Sequence, residues 1–229
     1  MAVNKVGTID DRVKLKTALM SVFDKTGLDA LARGLLRVNP GILILSTGGT
    51  YSALLAILGN SADTALRQVS EYTGQLELQG GLVKTLDFKI YLGLLSETYN
   101  AAHMADLERT GSTTIDMVVA GLYPFEQTIA RSGTTLEDAR ANIDIGGPCM
   151  VRAAAKNFHR VAVLTDPSDY PAVVEELRKQ NGTLGLDTRY RLAQKAFRLI
   201  ARYDEAIARY LESTPLADHR GIYTIRNGD

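Results

Sequence analysis

The feature that most constrains the fold is a set of short apolar runs separated by helical patterns. Residues 41–46 (GILILS), 116–120 (DMVVA) and 160–165 (RVAVLT) are almost continuously apolar. A strand with one wet face alternates polar and apolar side chains, whereas a run apolar throughout belongs to a strand covered on both faces, as in a parallel sheet. Residues 15–22 (LKTALMSV) read as a further strand and residues 65–70 as a weaker one. Between these runs, apolar residues recur at helical spacing over residues 28–38, the stretch YSALLAIL, residues 135–141 and residues 168–180, the last opening on Ser or Asp at an N-cap position. Residues 187–212 carry one long amphipathic pattern, one helix or two, with Leu192, Phe197, Ile200, Tyr203, Ile207 and Tyr210 in one broad stripe. Strands alternating with helices imply right-handed crossovers and an α/β fold, a parallel sheet with helices on both faces. Ligands in such sheets sit beyond the carboxyl ends of the strands. That rule selects the loops FDKTG, TGGT and GLYPF and the segment after Val69.

Composition narrows the ligand classes. With 229 residues, 45% of them hydrophobic, the chain can bury the core of one large domain or two small ones. Its 26 basic and 26 acidic residues cancel, so no field draws it to nucleic acid or an acidic membrane, and an anion needs a local site. Cys149 stands alone and cannot close an internal disulfide. No apolar run is long enough to span a bilayer, and MAVNKVGTIDDRVK lacks a signal core; the expectation is a cytoplasmic protein. His103, His159 and His219 lack metal-ligand spacing, so no metal site is expected. GxSxG, Walker and GxGxxG motifs are absent from the sequence.

Two loops match the physical recipe for a phosphate. SVFDKTG (residues 21–27) and STGGT (residues 46–50) each end a strand and open a helix with hydroxyls, backbone N–H groups and glycine. Ordinary turn and cap chemistry uses the same residues; two such loops on successive units favour the phosphate reading. In GGLVKTLDF (residues 80–88), with no strand or helix pattern, Lys84 is either a solvated lysine or an anion anchor. Tyr123 in GLYPF is either a hydroxyl donor or a core aromatic with a wet tip. NIDIGGPCMVRAAAKN (residues 142–157) places Asp144 before paired glycines, Pro148 at a helix start, and Lys156 about 12 Å along the axis from Pro148. The acid and the lysine either bracket an extended ligand or serve the two ends of the helix.

SVFDKTG, LSTGGT, VSEYTG, VKTL, LYPFEQT, NIDIGGP and VRAAAKN stand here in the order and approximate spacing of the N-terminal half of the bifunctional purine enzyme AICAR transformylase/IMP cyclohydrolase. The chain resembles that family over residues 16–211, and the IDIGG and RAAAKN pair is the most specific part. The resemblance implies a methylglyoxal-synthase-like, three-layer α/β domain over residues 15–213, between an extension (1–14) and a tail (214–229). It implies a homodimer, no metal or organic cofactor, and closure of 5-formamidoimidazole-4-carboxamide ribotide (FAICAR) to IMP with loss of water. Carried over residue by residue, Asp24, Lys25 and Thr26 with Thr47, Gly48, Gly49 and Thr50 hold the 5′-phosphate and nearby groups. Lys84 and Thr85 contact the nucleotide. Asp144, Ile145 and Gly146 meet the base, Gly121 lines the site, and Tyr123 and Lys156 stand near the reacting atoms. In that scheme Lys156, Tyr123, Asp144 and Lys84 are the catalytic set.

The sequence departs from the family's usual pattern at several of these places. Phe23 replaces a serine, Leu82 an arginine, Asp87-Phe88 a His-Pro pair, and Gly121 an asparagine; Tyr91-Leu92-Gly93 stands at an HGG-like segment. Losing a charge-assisted contact from a nucleotide site costs about 1.5–3 kcal/mol. The expectation is a stand-alone cyclohydrolase, fed by a separate AICAR transformylase. The alternatives are a non-catalytic or regulatory purine-nucleotide-binding paralogue and another phosphate-handling enzyme of this fold, such as a methylglyoxal synthase.

Overall fold

The structure, a computed structural model, describes residues 5–75 and 84–226. Its strands are Arg12–Lys14 (β1), Thr17–Val22 (β2), Leu43–Ser46 (β3), Leu66–Gln68 (β4), Met117–Gly121 (β5), Ala162–Leu164 (β6) and Thr183–Gly185 (β7). Its helices begin with Leu28–Val38 (α1), Gly48–Leu58 (α2), Ala62–Ala65 (α3), Val69–Thr73 (α4), Phe88–Leu95 (α5) and Ala101–Arg109 (α6). Phe125–Ile129 (α7), Leu136–Ala141 (α8), Gly146–Lys156 (α9), Tyr170–Lys179 (α10), Leu186–Ser213 (α11) and Leu216–His219 (α12) follow. Among the described residues no helix is long and apolar enough to cross a membrane.

Five strands form one parallel sheet in the order β4-β3-β2-β5-β6. Successive side chains of a strand point to opposite faces. Ala18, Met20 and Val22 of β2, with Ile44, Met117, Val119 and Leu164, therefore share one face, where Leu31 and Leu35 of α1, Leu54 of α2 and Val173 and Leu177 of α10 pack. Leu19, Leu45, Val118, Ala120 and Val163 take the other face, against Ile90 and Leu94 of α5, Met150 and Ala154 of α9, and Ala196 and Ile200 of α11. Both faces are covered, which is why the runs carry almost no polar residues.

Several elements differ from the sequence reading. β1 lies within the stretch taken as an extension and pairs antiparallel with β7, Val13 opposite Leu184. A strand of Arg-Val-Lys with one partner has too little apolar content to stand out. Arg189 pins this corner: its buried guanidinium donates to the carbonyls of Asp10, Asp11, Phe158, His159 and Leu184. α11 is a single helix of 28 residues, but its buried side is set by Leu192, Ala193, Ala196 and Ile200. Phe197 lies outside that stripe, 42% exposed, one step of about 100° beyond Ala196.

The stretch after Lys84 holds a helix. Asp87 caps α5, accepting from the Lys89 N–H at 2.8 Å, and Phe88 is the first helical residue. Tyr91-Leu92-Gly93 lies inside that helix. A Cβ at Gly93 would stand 2.5 Å from the Thr113 carbonyl oxygen, so α5 packs there only as glycine. Leu82 lies outside the described residues.

At the amino rim of the sheet, Asp116 and Arg160 form a buried ion pair at 2.9 Å. Asp116 also accepts the N–H groups of Lys16 and Thr17, and Arg160 donates to carbonyls of Gly93, Ser96 and Ile115. Burial pushes the carboxyl pKa up and the guanidinium pKa down, and the pairing opposes both shifts.

Candidate active site

The carboxyl rim gathers most of the expected site residues. The loop after β2 is closed largely by its own side chains. The Asp24 carboxylate accepts from Thr26 N–H (2.9 Å) and hydroxyl (2.7 Å), which lowers its pKa. Lys25 folds its ammonium back onto the carbonyls of Val22 (2.5 Å) and Phe23 (3.0 Å), and its burial lowers its pKa. Gly27 sits at φ +71°, and a Cβ there would meet the Tyr170 ring at 3.2 Å. The side chains of this loop thus hold its shape, leaving backbone to face a ligand.

The start of α2 fits an anion better. No side chain caps it, so its first N–H groups and the positive end of its dipole face the rim. Gly48 takes φ +48°, and a Cβ there would stand 3.6 Å from Lys84 Nζ; around Gly49 there is open space. Thr47 places its hydroxyl 3.2 Å from that of Ser21. Thr50 plays another part: its buried hydroxyl accepts from Val22 N–H and donates to Val22 O, both at 3.0 Å, stapling α2 to β2. Ser46, Gln68, Ser70 and Gln75 complete a pocket with Thr47, Gly48 and Lys84. The buried Gln75 Oε1 has no hydrogen-bond partner among the described residues.

The second half of the rim forms where β5 meets α9. Asp144 Oδ1 accepts from Gly147 N–H at 2.9 Å, capping α9, while Oδ2 lies 3.4 Å from Tyr123 N. Gly147 has no room for a side chain, because a Cβ would lie 2.6 Å from Asp144 Oδ2. The Asp144 N–H donates to the Tyr203 hydroxyl at 2.8 Å, fixing the acid from α11, and burial raises the Tyr203 pKa. Tyr123 and Ile145 are exposed beside it. Gly121 brings β5 against the Phe23 backbone: Phe23 N–H donates to Gly121 O at 3.0 Å, and a Cβ at 121 would stand 3.3 Å from that nitrogen.

Lys84 and Thr85 link the halves. Lys84 reaches the start of α2, and the buried Thr85 hydroxyl would be 2.7 Å from a Cβ at Gly146, the first residue of α9. Lys156 is not part of this group in one protomer. It is exposed at the last position of α9, about 15 Å along the helix from Gly146. Sequence reasoning pointed to the segment after Val69 without singling out Ser70 or Gln75, it missed Gln68, and it read Tyr203 as core stripe. No local signal foretold that the Asp144 N–H would find an acceptor as far along the chain as Tyr203.

Comparison with known proteins places these loops in a lineage. Residues 27–149 match the family described as MGS-like domain, and residues 154–226 match AICARFT/IMPCHase bienzyme. The Bifunctional purine biosynthesis protein PurH of Acidithiobacillus ferrooxidans is 48% identical over 200 residues, covering 87% of this chain and 37% of the relative. PurH of Chlorobium luteolum is 49% identical over 197 residues, covering 86% and 36%. The chain thus spans little more than a third of the length of these relatives. Among solved structures, that of ForH superimposes with a TM-score of 0.69 at 32% identity, covering 84% of this chain and 97% of that one. The chain belongs to the MGS-like family, as a homologue of the N-terminal IMP cyclohydrolase part of PurH.

Proposed function

We propose that this chain is an IMP cyclohydrolase, closing the formamido-carboxamide arms of FAICAR to IMP with loss of water. One observation carries the reading: a carboxylate oriented by backbone N–H groups, a phenol and a lysine stand on the rim that also holds an uncapped, glycine-rich helix start. The helix start takes the 5′-phosphate, and the rim where β5 meets α9 takes the base.

The chemistry asks little of the protein beyond folding and charge control. The carboxamide nitrogen attacks the formyl carbon of the same molecule, so holding both arms in contact supplies much of the rate. The nitrogen loses a proton and the carbonyl oxygen becomes an alkoxide. Protonation of that oxygen and loss of water complete the ring. Asp144 accepts from the attacking amide, while Lys84 and Tyr123 supply donors to the oxygen. Metal and organic cofactor have no step in this scheme.

Lys156 enters this chemistry only from a second copy of the chain, because its own helix holds it at the opposite end. The working unit in this reading is a homodimer, and an AICAR transformylase activity supplies the formylated substrate. The position of Lys156, with Phe23 and Gly121 at the site mouth, also favours a second reading: a purine-nucleotide-binding protein without turnover.

Incubating the purified chain with FAICAR and following IMP absorbance separates the two. Closure well above the spontaneous rate supports the enzyme. IMP binding without acceleration assigns the chain to the binding class, and failure to bind either nucleotide removes both readings.

A further inference from the structure

We propose that the groove between α11 and the loop joining β6 to α10 is a second anion site, built for a phosphoryl dianion and separate from the ring-closing pocket. The groove is open to solvent, has a volume of about 550 Å³, and is lined by Thr165 and Asp166 on one side and by Arg191, Lys195, Arg198 and Arg202 on the other. That volume suits a small ligand. It opens at the carboxyl end of β6, on the rim where open α/β sheets take ligands.

Charge in the groove is unbalanced although the chain as a whole is neutral. Two carboxylates face four cations, and both are committed. Asp169 binds Arg191 at 3.0 Å and Lys195 at 2.5 Å; Asp166 binds Lys195 at 3.2 Å and the Ser168 N–H at 2.9 Å. No ion pair or side-chain hydrogen bond reaches Arg198 or Arg202 among the described residues.

The sequence of α11 explains why they stay free. On a helix only residues three or four positions away reach one another. For Arg198 those are Gln194, Lys195, Ala201 and Arg202, none of them acidic. For Arg202 the one acid in range is Glu205, which binds Arg209 at 2.5 Å. Two guanidinium groups one turn apart repel each other, and an anion between them removes the repulsion. Their planar forks match phosphate oxygens two at a time. A nucleic acid is disfavoured, because the excess of cations is local to one concave groove.

The test uses the full chain, with titration calorimetry against inorganic phosphate and against ribose 5-phosphate. Arg198→Gln/Arg202→Gln should weaken one binding event by about tenfold or more and leave the ring-closing activity and the fold, read by circular dichroism, unchanged. Lys84→Ala should weaken the other event and spare this one. Equal affinity for the two probes identifies free phosphate as sufficient; tighter binding of the ester identifies a monoester. The proposal is overturned if the double variant titrates like the parent with both probes. It is equally overturned if the parent shows no event beyond the one that Lys84→Ala removes.

Discussion

The ring of Phe23 stands edge-on to that of Tyr123, with centroids 5.6 Å apart and planes at 64°. The two side chains sit at the ends of neighbouring strands, β2 and β5, and both are about half exposed. Phe23 is anchored there by its backbone, its N–H held by Gly121 and its carbonyl by Lys25. It therefore props the phenol over the site. An edge-to-face pair contributes about 0.5–1.5 kcal/mol. Phe23→Ala should lower kcat for ring closure by about threefold to tenfold, with a melting temperature close to the parent's. Phe23→Trp should restore most of the loss. Steady-state kinetics on the three proteins check this.

Asp144 both caps α9 and faces the expected substrate. Asp144→Ala should cost about 1 kcal/mol of stability through loss of the cap. Asp144→Asn keeps an acceptor for Gly147 N–H and should cost less. Its effect on turnover should nonetheless approach that of alanine, because the charge is gone. Urea unfolding and kcat measured on both variants separate the two roles.

The buried pair at the amino rim is structural. Asp116→Ala leaves the Arg160 guanidinium buried without its counter-charge, which should destabilise the fold by about 3–5 kcal/mol. Activity per folded molecule should stay near the parent's, since this rim is opposite the candidate site. Denaturant titration and activity normalised to the folded fraction check it.

Lys195 ties the loop after β6 to α11, and the hydrogen bond it donates to Asp169 raises its pKa above the ordinary lysine range. An ammonium with a raised folded pKa contributes stability fully below its unfolded pKa, about 10.4, and loses it as pH rises through the folded value. Lys195→Met should therefore be less stable than the parent at pH 7, and the difference should shrink above about pH 10.4. Chemical unfolding of both proteins at pH 7 and pH 11 gives the comparison.

Much of the fold was legible because a doubly covered sheet writes itself as uninterrupted apolar runs. β2, β3 and β6 fall inside the runs read from the sequence, β5 runs one residue past its own, and α1 begins and ends where its pattern does. β1 and β7 were not legible, being short and dependent on the Arg189 guanidinium, whose contacts lie far apart in sequence. α5 was hidden because its start is a cap at Asp87 after residues with no period. At the site, the glycine loops could be read as helix starts, and the structure divides their tasks. Thr50 and Lys25 spend their polar groups on backbone, whereas Lys84 and Thr85 bridge two helices. Gln68, Ser70, Gln75 and Tyr203 arrive only through packing.

Ring closure by the full chain and by Tyr123→Phe, with FAICAR as substrate, tests the central claim most directly. The account predicts a fall in kcat of about tenfold or more for the variant, with KM little changed because the phosphate is held at the start of α2. A variant that closes the ring as fast as the parent would contradict it.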